Sequence, residues 1–349
     1  MYCCVDCFTS SYLINIIQSD PRTDNCNFCD STNVSVYEPR ELIHFFKNIL
    51  NLYKVDASST KSLIELIEDD FKTDVFSQKV GNKQDLIQAI VSDEIVEFGD
   101  LFTNNVSSVH DRVYQIEQAE EIHTIWENFK DEIKNINRFH IKNAIDLKKL
   151  KTFFKDEAFH SKIRTGKIFY RSRISDKNGF PPDKMGNPPA EFASSGRANP
   201  KGISYLYLAD AVLTSIYEAR ASLYDYVSVA DFRLKENITV LNLRQPSYDP
   251  ISWAEQEAID DYLIYIPFIK TLQKELSLPI RSRDKEIDYL PTQYLSEFIK
   301  SIGFDGVEFQ SSLRKEGYNL AIFNPEKFEC LGVKKYEISD INLIPNEIS

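Results

Sequence analysis

The chain has 349 residues, 42% of them hydrophobic and 12% aromatic, and a formal net charge of −12 at pH 7. This length and composition predict two or three folded units with apolar cores rather than a disordered chain. The acidic balance argues against general nucleic-acid binding, which needs a basic surface that releases counterions. No apolar run reaches about 18 residues, and the first residues lack the parts of a signal peptide. We therefore expect a cytoplasmic protein without a membrane span.

The cysteines are concentrated at the start of the chain, where five of the six lie within the first thirty residues. Four of them form two C-x2-C pairs separated by 18 residues: Cys4 with Cys7, and Cys26 with Cys29. Two such knuckles place four thiolates around one tetrahedral Zn²⁺ and leave no open coordination position, so the spacing predicts a structural zinc site. Cys3 would replace Cys4 if the register were shifted by one residue. Redox or spare thiols are the alternative interpretation.

From Pro39 to about Leu150 the apolar residues recur at three- and four-residue spacing. This periodicity predicts amphipathic helices, and the Ser, Asn, Asp and Gly residues between them predict connecting loops. The sequence thus predicts a zinc-knuckle segment over residues 1–38 and a helical domain over residues 39–155.

After Gly166 short strand-like runs are mixed with helical segments. Strands are predicted over residues 167–174, 203–209, 226–234, 238–243, 305–311 and 318–324, and helices near residues 210–223, 255–278 and 291–302. The two kinds of element do not alternate as in a doubly wound sheet. We therefore predict an α+β protein with a C-terminal mixed α/β domain over residues 156–340.

The residue types missing from this C-terminal part restrict its chemistry. No histidine follows His160, and the chain has neither a G-x-x-x-x-G-K-[ST] loop nor a G-x-G-x-x-G turn. A Ser–His or Cys–His nucleophile within this part, phosphoryl transfer and hydride transfer therefore lose support. The candidate functional residues that remain are Arg, Tyr, Glu, Ser and Asn.

The stretch "SSGRANPKGISYLYLADAVLTSIYEAR", residues 194–220, sets three such residues at intervals of ten and eleven. Gly196 frees the backbone of a loop from which Arg197 projects, a suitable place for a guanidinium that binds phosphate. Tyr207 lies at the end of the next strand, and Glu218 lies two turns into a helix. A carboxylate at that position is either at the edge of the core or in a cleft. The spacing alone favours ordinary solvated or packed roles for all three.

The same stretch resembles the RES domain, a family named for its Arg, Glu and Ser. The family pattern has a GR-x-N loop, an LY strand and a helix that carries Glu eleven residues after the Tyr. The segment "PTQYLSEFIKSIGFDGVEFQSSLRKEGYNLAIFNP", residues 291–325, is similar to the family's C-terminal signature, and "FYR", residues 169–171, matches its first strand. The resemblance covers about residues 160–335.

The resemblance implies a fold similar to that of ADP-ribosyltransferases and an enzyme that breaks the nicotinamide–ribose bond of NAD. Characterised RES proteins are toxins that degrade NAD by phosphorolysis or hydrolysis, usually under the control of an antitoxin. The implied substrate is NAD, phosphate is an optional co-substrate, and an antitoxin or regulatory protein is the implied partner. The implied role is that of a toxin or bacterial defence effector. ADP-ribosyl transfer to a protein, a catalytically inactive interaction protein and assembly into homo-oligomers stay open.

Carried onto this chain, the family pattern implies a catalytic set of Arg197, Tyr207, Glu218 and Ser311. Glu218 would stabilise an oxocarbenium-like ribose, Tyr207 would stack on nicotinamide, and Ser311 would hydrogen-bond the ribose or the phosphate acceptor. Ser312 is the alternative to Ser311 if the register slips. The pattern also implies substrate-binding roles for Arg171, Gly196, Asn199 and Asn319.

The first 150 residues look like the HEPN-related domain that is found fused to RES domains. HEPN ribonucleases carry an R-x(4–6)-H motif, and neither "RVYQIEQAEEIH" nor "RFHIKN" has that spacing. RNA cleavage is therefore not expected of this chain.

Overall fold

The computed structural model describes residues 1–71, 75–109, 111–143, 145–244, 249–256, 258–278 and 286–341. The helices in these ranges are α1 (Ser11–Ser19), α2 (Ile43–Leu50), α3 (Leu63–Phe71), α4 (Lys83–Ile90), α5 (Ile95–Phe98), α6 (Asp100–Thr103), α7 (Asp111–Asn135), α8 (Leu147–Phe154), α9 (Val212–Glu218), α10 (Pro250–Glu255), α11 (Ile259–Ser277) and α12 (Leu290–Ser301). The strands are β1 (Cys3–Cys4), β2 (Thr23–Asp24), β3 (Val34–Tyr37), β4 (Tyr53–Val55), β5 (Val106–Ser108), β6 (His160–Ile163), β7 (Ile168–Ser175), β8 (Leu206–Ala209), β9 (Tyr226–Leu234), β10 (Ile238–Asn242), β11 (Gly306–Gln310), β12 (Tyr318–Ile322) and β13 (Phe328–Glu337).

The chain divides into two compact units. The first comprises Met1–His123 and Ser247–Ile269, and the second comprises Thr124–Pro246 and Lys270–Ser349. The first unit is therefore built from two separate stretches of sequence. The three-part division into residues 1–38, 39–155 and 156–340 remains a prediction. Within the ranges that the structure describes, no helix combines the length and the apolar character that a bilayer span requires.

One buried carboxylate joins the two stretches of the first unit. Asp249 Oδ2 accepts hydrogen bonds from Ser10 Oγ and from Tyr12 N, both at 2.8 Å, while its Oδ1 accepts one from Ile251 N at 3.2 Å. The first N–H groups of a helix have no partner inside the helix, so a side-chain oxygen at that position stabilises it. Asp249 serves the first turns of both α1 and α10 in this way, and its burial raises the pKa of its carboxyl group.

The second unit is built on an eight-stranded sheet in the order β13-β9-β7-β8-β12-β11-β10-β6. Neighbouring strands run antiparallel except β10 and β11, which are parallel. One face of the sheet carries a buried apolar core that includes Phe169, Leu206, Leu208, Phe232, Val240, Leu320 and Phe328. The mixed sheet, together with the helical N-terminal region, confirms the predicted α+β class.

The sheet opens between β7 and β8. Strand β7 pairs with β9 from Ile168 to Ser175 but with β8 only where Tyr170 lies opposite Ala209. Helix α9, which packs against β7, is shorter than the helix predicted near residues 210–223. The helix ends at Glu218 because Arg220, two residues on, adopts a φ of 53°, which an α-helix cannot contain. The split in the sheet and the end of α9 together define the site.

Candidate active site and metal centre

A pocket of about 340 Å³ lies in the second unit, where β7 and β8 diverge. Six of the residues that the sequence singled out line it: Arg171, Gly196, Arg197, Tyr207, Glu218 and Asn319. Other lining residues were not predicted, among them Tyr170, Ser172, Ser215 and Phe309. The remaining two predicted residues, Asn199 and Ser311, do not line the pocket but contact residues that do.

The carboxylate of Glu218 is held by two buried donors. Its Oε1 accepts a hydrogen bond from Ser311 Oγ at 2.7 Å and another from Asn319 Nδ2 at 2.8 Å. Ser311 is only 3% exposed and Asn319 only 6% exposed. The hydroxyl of Ser312 is also buried, but it has no hydrogen-bond partner among the described residues. The structure therefore brings Ser311, and not Ser312, to Glu218.

The turn between β11 and β12 fixes the position of Ser311. Ser311 Oγ accepts a hydrogen bond from Arg314 N at 3.1 Å, and Arg314 Nη1 donates to Thr214 Oγ1 of α9 at 3.0 Å. The turn approaches the helix closely at Gly317, where a Cβ atom would lie 2.4 Å from Thr214 Oγ1. The turn is thus attached to the same helix that carries Glu218.

Tyr207 holds the loop that precedes its own strand. Its hydroxyl donates to Asn199 Oδ1 at 2.7 Å and accepts from Ala198 N at 3.1 Å. A Cβ atom on Gly196 would lie 2.4 Å from Asn199 Oδ1 and 2.8 Å from the Tyr207 hydroxyl, so this position requires glycine. Burial raises the pKa of Tyr207. The hydroxyl therefore organises the loop, while the residue still lines the pocket.

Gln293, at the start of α12, supports the same loop from behind and was not predicted. It is 4% exposed, and its Nε2 lies 2.8 Å from Ser195 Oγ, 2.8 Å from Gly196 O and 3.0 Å from Asn199 O. A single glutamine in a helix has no periodic or compositional signature in the sequence. Its support of the loop is therefore visible only from its burial and its hydrogen bonds.

Arg197 lies against the end of a helix. Its Nη1 donates to Leu276 O at 3.1 Å and to Ser277 O at 3.3 Å, at the carboxyl end of α11. The last carbonyl groups of a helix lack partners within it, and arginine is a favourable donor to them. Burial lowers the pKa of Arg197, and the negative charge of Glu218 opposes that change. The guanidinium thus already has protein partners.

Arg171 keeps part of its donor capacity unused. Its Nη1 donates to Tyr207 O at 3.3 Å, but its Nε is buried and has no partner in the part of the chain that the structure describes. Burial and the neighbouring charge of Arg173 lower the pKa of Arg171 to about 10, so it is still a cation at neutral pH. A cation that lines the pocket suits the binding of an anion.

The four cysteines of the two predicted knuckles meet at one point. The Sγ atoms of Cys4, Cys7, Cys26 and Cys29 all lie within 4.8 Å of one another. Tetrahedral Zn²⁺ with Zn–S bonds of about 2.3 Å separates its sulfurs by about 3.8 Å, so the cluster fits such a metal. Cys3 lies outside the cluster and its Sγ donates to Tyr37 O at 3.5 Å. Cys4, and not Cys3, is therefore the partner of Cys7 in the first knuckle.

Comparison with known proteins identifies the family to which the chain belongs. The family model for the RES domain matches residues 168–342, which is half of the chain, and the chain therefore belongs to the RES domain family. A search of curated proteins finds no match. One solved structure with a matching chain is titled "Crystal structure of the M.tuberculosis MbcT-MbcA toxin-antitoxin complex". The sequences are 14% identical, the match covers 55% of this chain and 94% of that one, and the TM-score is 0.31.

Proposed function

We propose that this chain cleaves the nicotinamide–ribose bond of NAD, with phosphate or water as the acceptor, and that it acts as a toxin or defence effector. The observation that carries the proposal is the Glu218 carboxylate, which two buried donors hold at the wall of a pocket that also contains Tyr170, Tyr207 and Arg171. Membership of the RES family supports the same substrate.

The chemistry of this bond matches a site built around a carboxylate. Nicotinamide is a cationic pyridinium in NAD and leaves as a neutral molecule, because its ring nitrogen takes the electron pair of the broken C–N bond. No general acid is needed for that step. The ribose carbon left behind develops positive charge, which the Glu218 carboxylate would stabilise in the transition state. An oxygen of phosphate or water then forms the new bond, and water in addition releases a proton.

The two arginines would have different tasks. Arg171 lines the pocket and is a cation at neutral pH, so it would bind the pyrophosphate of NAD or the attacking phosphate. Arg197 donates to the carbonyls of Leu276 and Ser277, so we propose that it mainly keeps the loop of residues 194–199 in place. The main role of Ser311 and Asn319 would be to orient the Glu218 carboxylate, to which both donate hydrogen bonds.

Product analysis of the purified full-length chain tests the proposal. The chain is incubated with NAD, with and without phosphate, and the products are separated and identified by mass spectrometry. ADP-ribose 1″-phosphate, ADP-ribose and a modified protein distinguish phosphorolysis, hydrolysis and ADP-ribosyl transfer to a protein. If the chain releases no nicotinamide under either condition, the proposal is wrong and a catalytically inactive interaction protein becomes the better interpretation.

We propose structural zinc for the cysteine cluster, held by Cys4, Cys7, Cys26 and Cys29. A four-cysteine set leaves no position open for a substrate, so the metal would stabilise the fold of the first residues and take no part in the reaction. The HEPN-related nature of residues 39–155, an antitoxin or other regulatory partner, and a cytoplasmic location are further proposals that rest on the family resemblance.

A further inference from the structure

A pair of serines at the wall of the pocket has fixed hydrogen-bond polarity. Ser172 Oγ of β7 lies 2.6 Å from Ser215 Oγ of α9, and both residues line the pocket. Ser215 is 4% exposed, and its hydroxyl donates to Val212 O at 2.7 Å. A serine hydroxyl has a single proton, so Ser215 can only accept from Ser172. The proton of Ser172 is thereby used, and Ser172 Oγ offers the pocket only acceptor lone pairs.

An aromatic ring lies beside this acceptor. Side chains alternate along a strand, so Tyr170 and Ser172 lie on the same face of β7, separated by about 6.6 Å along the strand. Tyr170 pairs with Ala209 of β8, which also lines the pocket. A flat ring next to a hydrogen-bond acceptor is complementary to a planar heteroaromatic ligand that carries an N–H donor.

We propose that Tyr170 and Ser172 form a subsite for an aromatic carboxamide and that Ser172 selects NAD over its nicotinic acid counterpart. The carboxamide N–H group would donate to Ser172 Oγ. A carboxylate in the same place has no proton to donate, and the Ser172 hydroxyl cannot donate to it while it donates to Ser215 Oγ. Ser215 is then a positioning residue, because it sets the polarity of Ser172. This inference rests on the proposed function, since it takes a nicotinamide dinucleotide as the substrate.

The test measures the affinity of two ligands that differ only in this group. The full-length Glu218→Gln variant, which should bind the dinucleotide without consuming it, is titrated by calorimetry with NAD and with nicotinic acid adenine dinucleotide. Adding Ser172→Ala removes the acceptor and should weaken NAD binding about 2- to 12-fold, the range for one neutral hydrogen bond, without weakening the acid ligand. Adding Ser215→Ala instead removes the acceptor of the Ser172 O–H group. That group can then donate to the carboxylate of the acid ligand, so binding of this ligand should improve.

The control is Ser301→Ala at the exposed end of α12, where the hydroxyl donates to Phe298 O. It should leave both affinities unchanged. The proposal is overturned if Ser172→Ala and Ser215→Ala leave the ratio of the two affinities as it was, or if Ser172→Ala weakens both ligands equally. Failure of the proposed function is recognised by a different measurement, because the unmutated chain would then release no nicotinamide. The titrations do not depend on that assay.

Discussion

Glu218→Gln tests the proposed catalytic centre with the least structural change. Glutamine has the size of glutamate, and its side-chain oxygen can accept from Ser311 Oγ and Asn319 Nδ2 as Glu218 Oε1 does. The variant should therefore fold normally. What it loses is the negative charge that faces the pocket. Because that charge opposes the effect of burial on Arg197, the pKa of Arg197 should also fall in the variant.

The expected loss of rate follows from the role of the charge. Removing a preorganised group that stabilises developing charge typically costs about 3–4 kcal/mol, which corresponds to a 10²- to 10³-fold lower kcat. The bound substrate has no full charge on the ribose carbon, so NAD binding should weaken much less. A large fall in kcat with a small change in KM is the expected signature.

The assay measures nicotinamide release over a range of NAD concentrations, so that kcat and KM are obtained separately. Glu297→Gln, on the exposed side of α12, makes the same chemical change outside the pocket and serves as the control. Expression in cells gives a second readout, because the unmutated chain should deplete NAD and stop growth while Glu218→Gln should not. If folded Glu218→Gln turns NAD over within a few-fold of the unmutated rate, the assignment of the catalytic centre is wrong.

Three further predictions concern the loop, the cysteine cluster and the buried arginine. Gly196→Ala should destabilise the fold by about 1–3 kcal/mol and slow turnover, because the added methyl group collides with the loop. Gly186→Ala is the control: its Cβ has open space around it, so stability and turnover should stay unchanged. Cys26→Ser should release bound metal and lower the melting temperature while Cys330→Ser retains the metal; a metal-free protein of unchanged stability would contradict the zinc proposal. Arg171→Met should weaken NAD binding in calorimetry yet maintain or raise the melting temperature, because it removes a buried cation whose Nε has no partner among the described residues. A clear fall in melting temperature would show that Arg171 is chiefly structural.

The strands that could be predicted are those with a regular apolar pattern. The prediction over residues 226–234 coincides with β9, whose side chains are mostly buried. Strand β13 was not predicted, because lysines and Gly332 interrupt its apolar pattern and its pairing with β9 shifts register between Cys330 and Gly332. Such an edge strand depends on its neighbour rather than on its own sequence.

The site itself could not be derived from spacing. Glu218 meets Ser311 and Asn319, which are 93 and 101 residues further along the chain, and only the family resemblance associated them in advance. The loop position of Arg197 suggested a guanidinium directed at a ligand, but the carbonyls that it contacts belong to a helix about eighty residues away. Contacts across such separations depend on the tertiary fold, which local patterns do not encode.

The Asp249 carboxylate has a consequence for the order in which the chain folds during synthesis. Ser10 hydrogen-bonds Asp249, which is synthesised 239 residues later. The first unit therefore stays incomplete on the ribosome while most strands of the large sheet are being made. The pocket is finished later still, because Glu218 needs Asn319. A nascent chain therefore has no complete active centre until β12 has emerged. If the enzyme consumes NAD as proposed, this order of synthesis protects the cell that produces it from truncated or stalled copies.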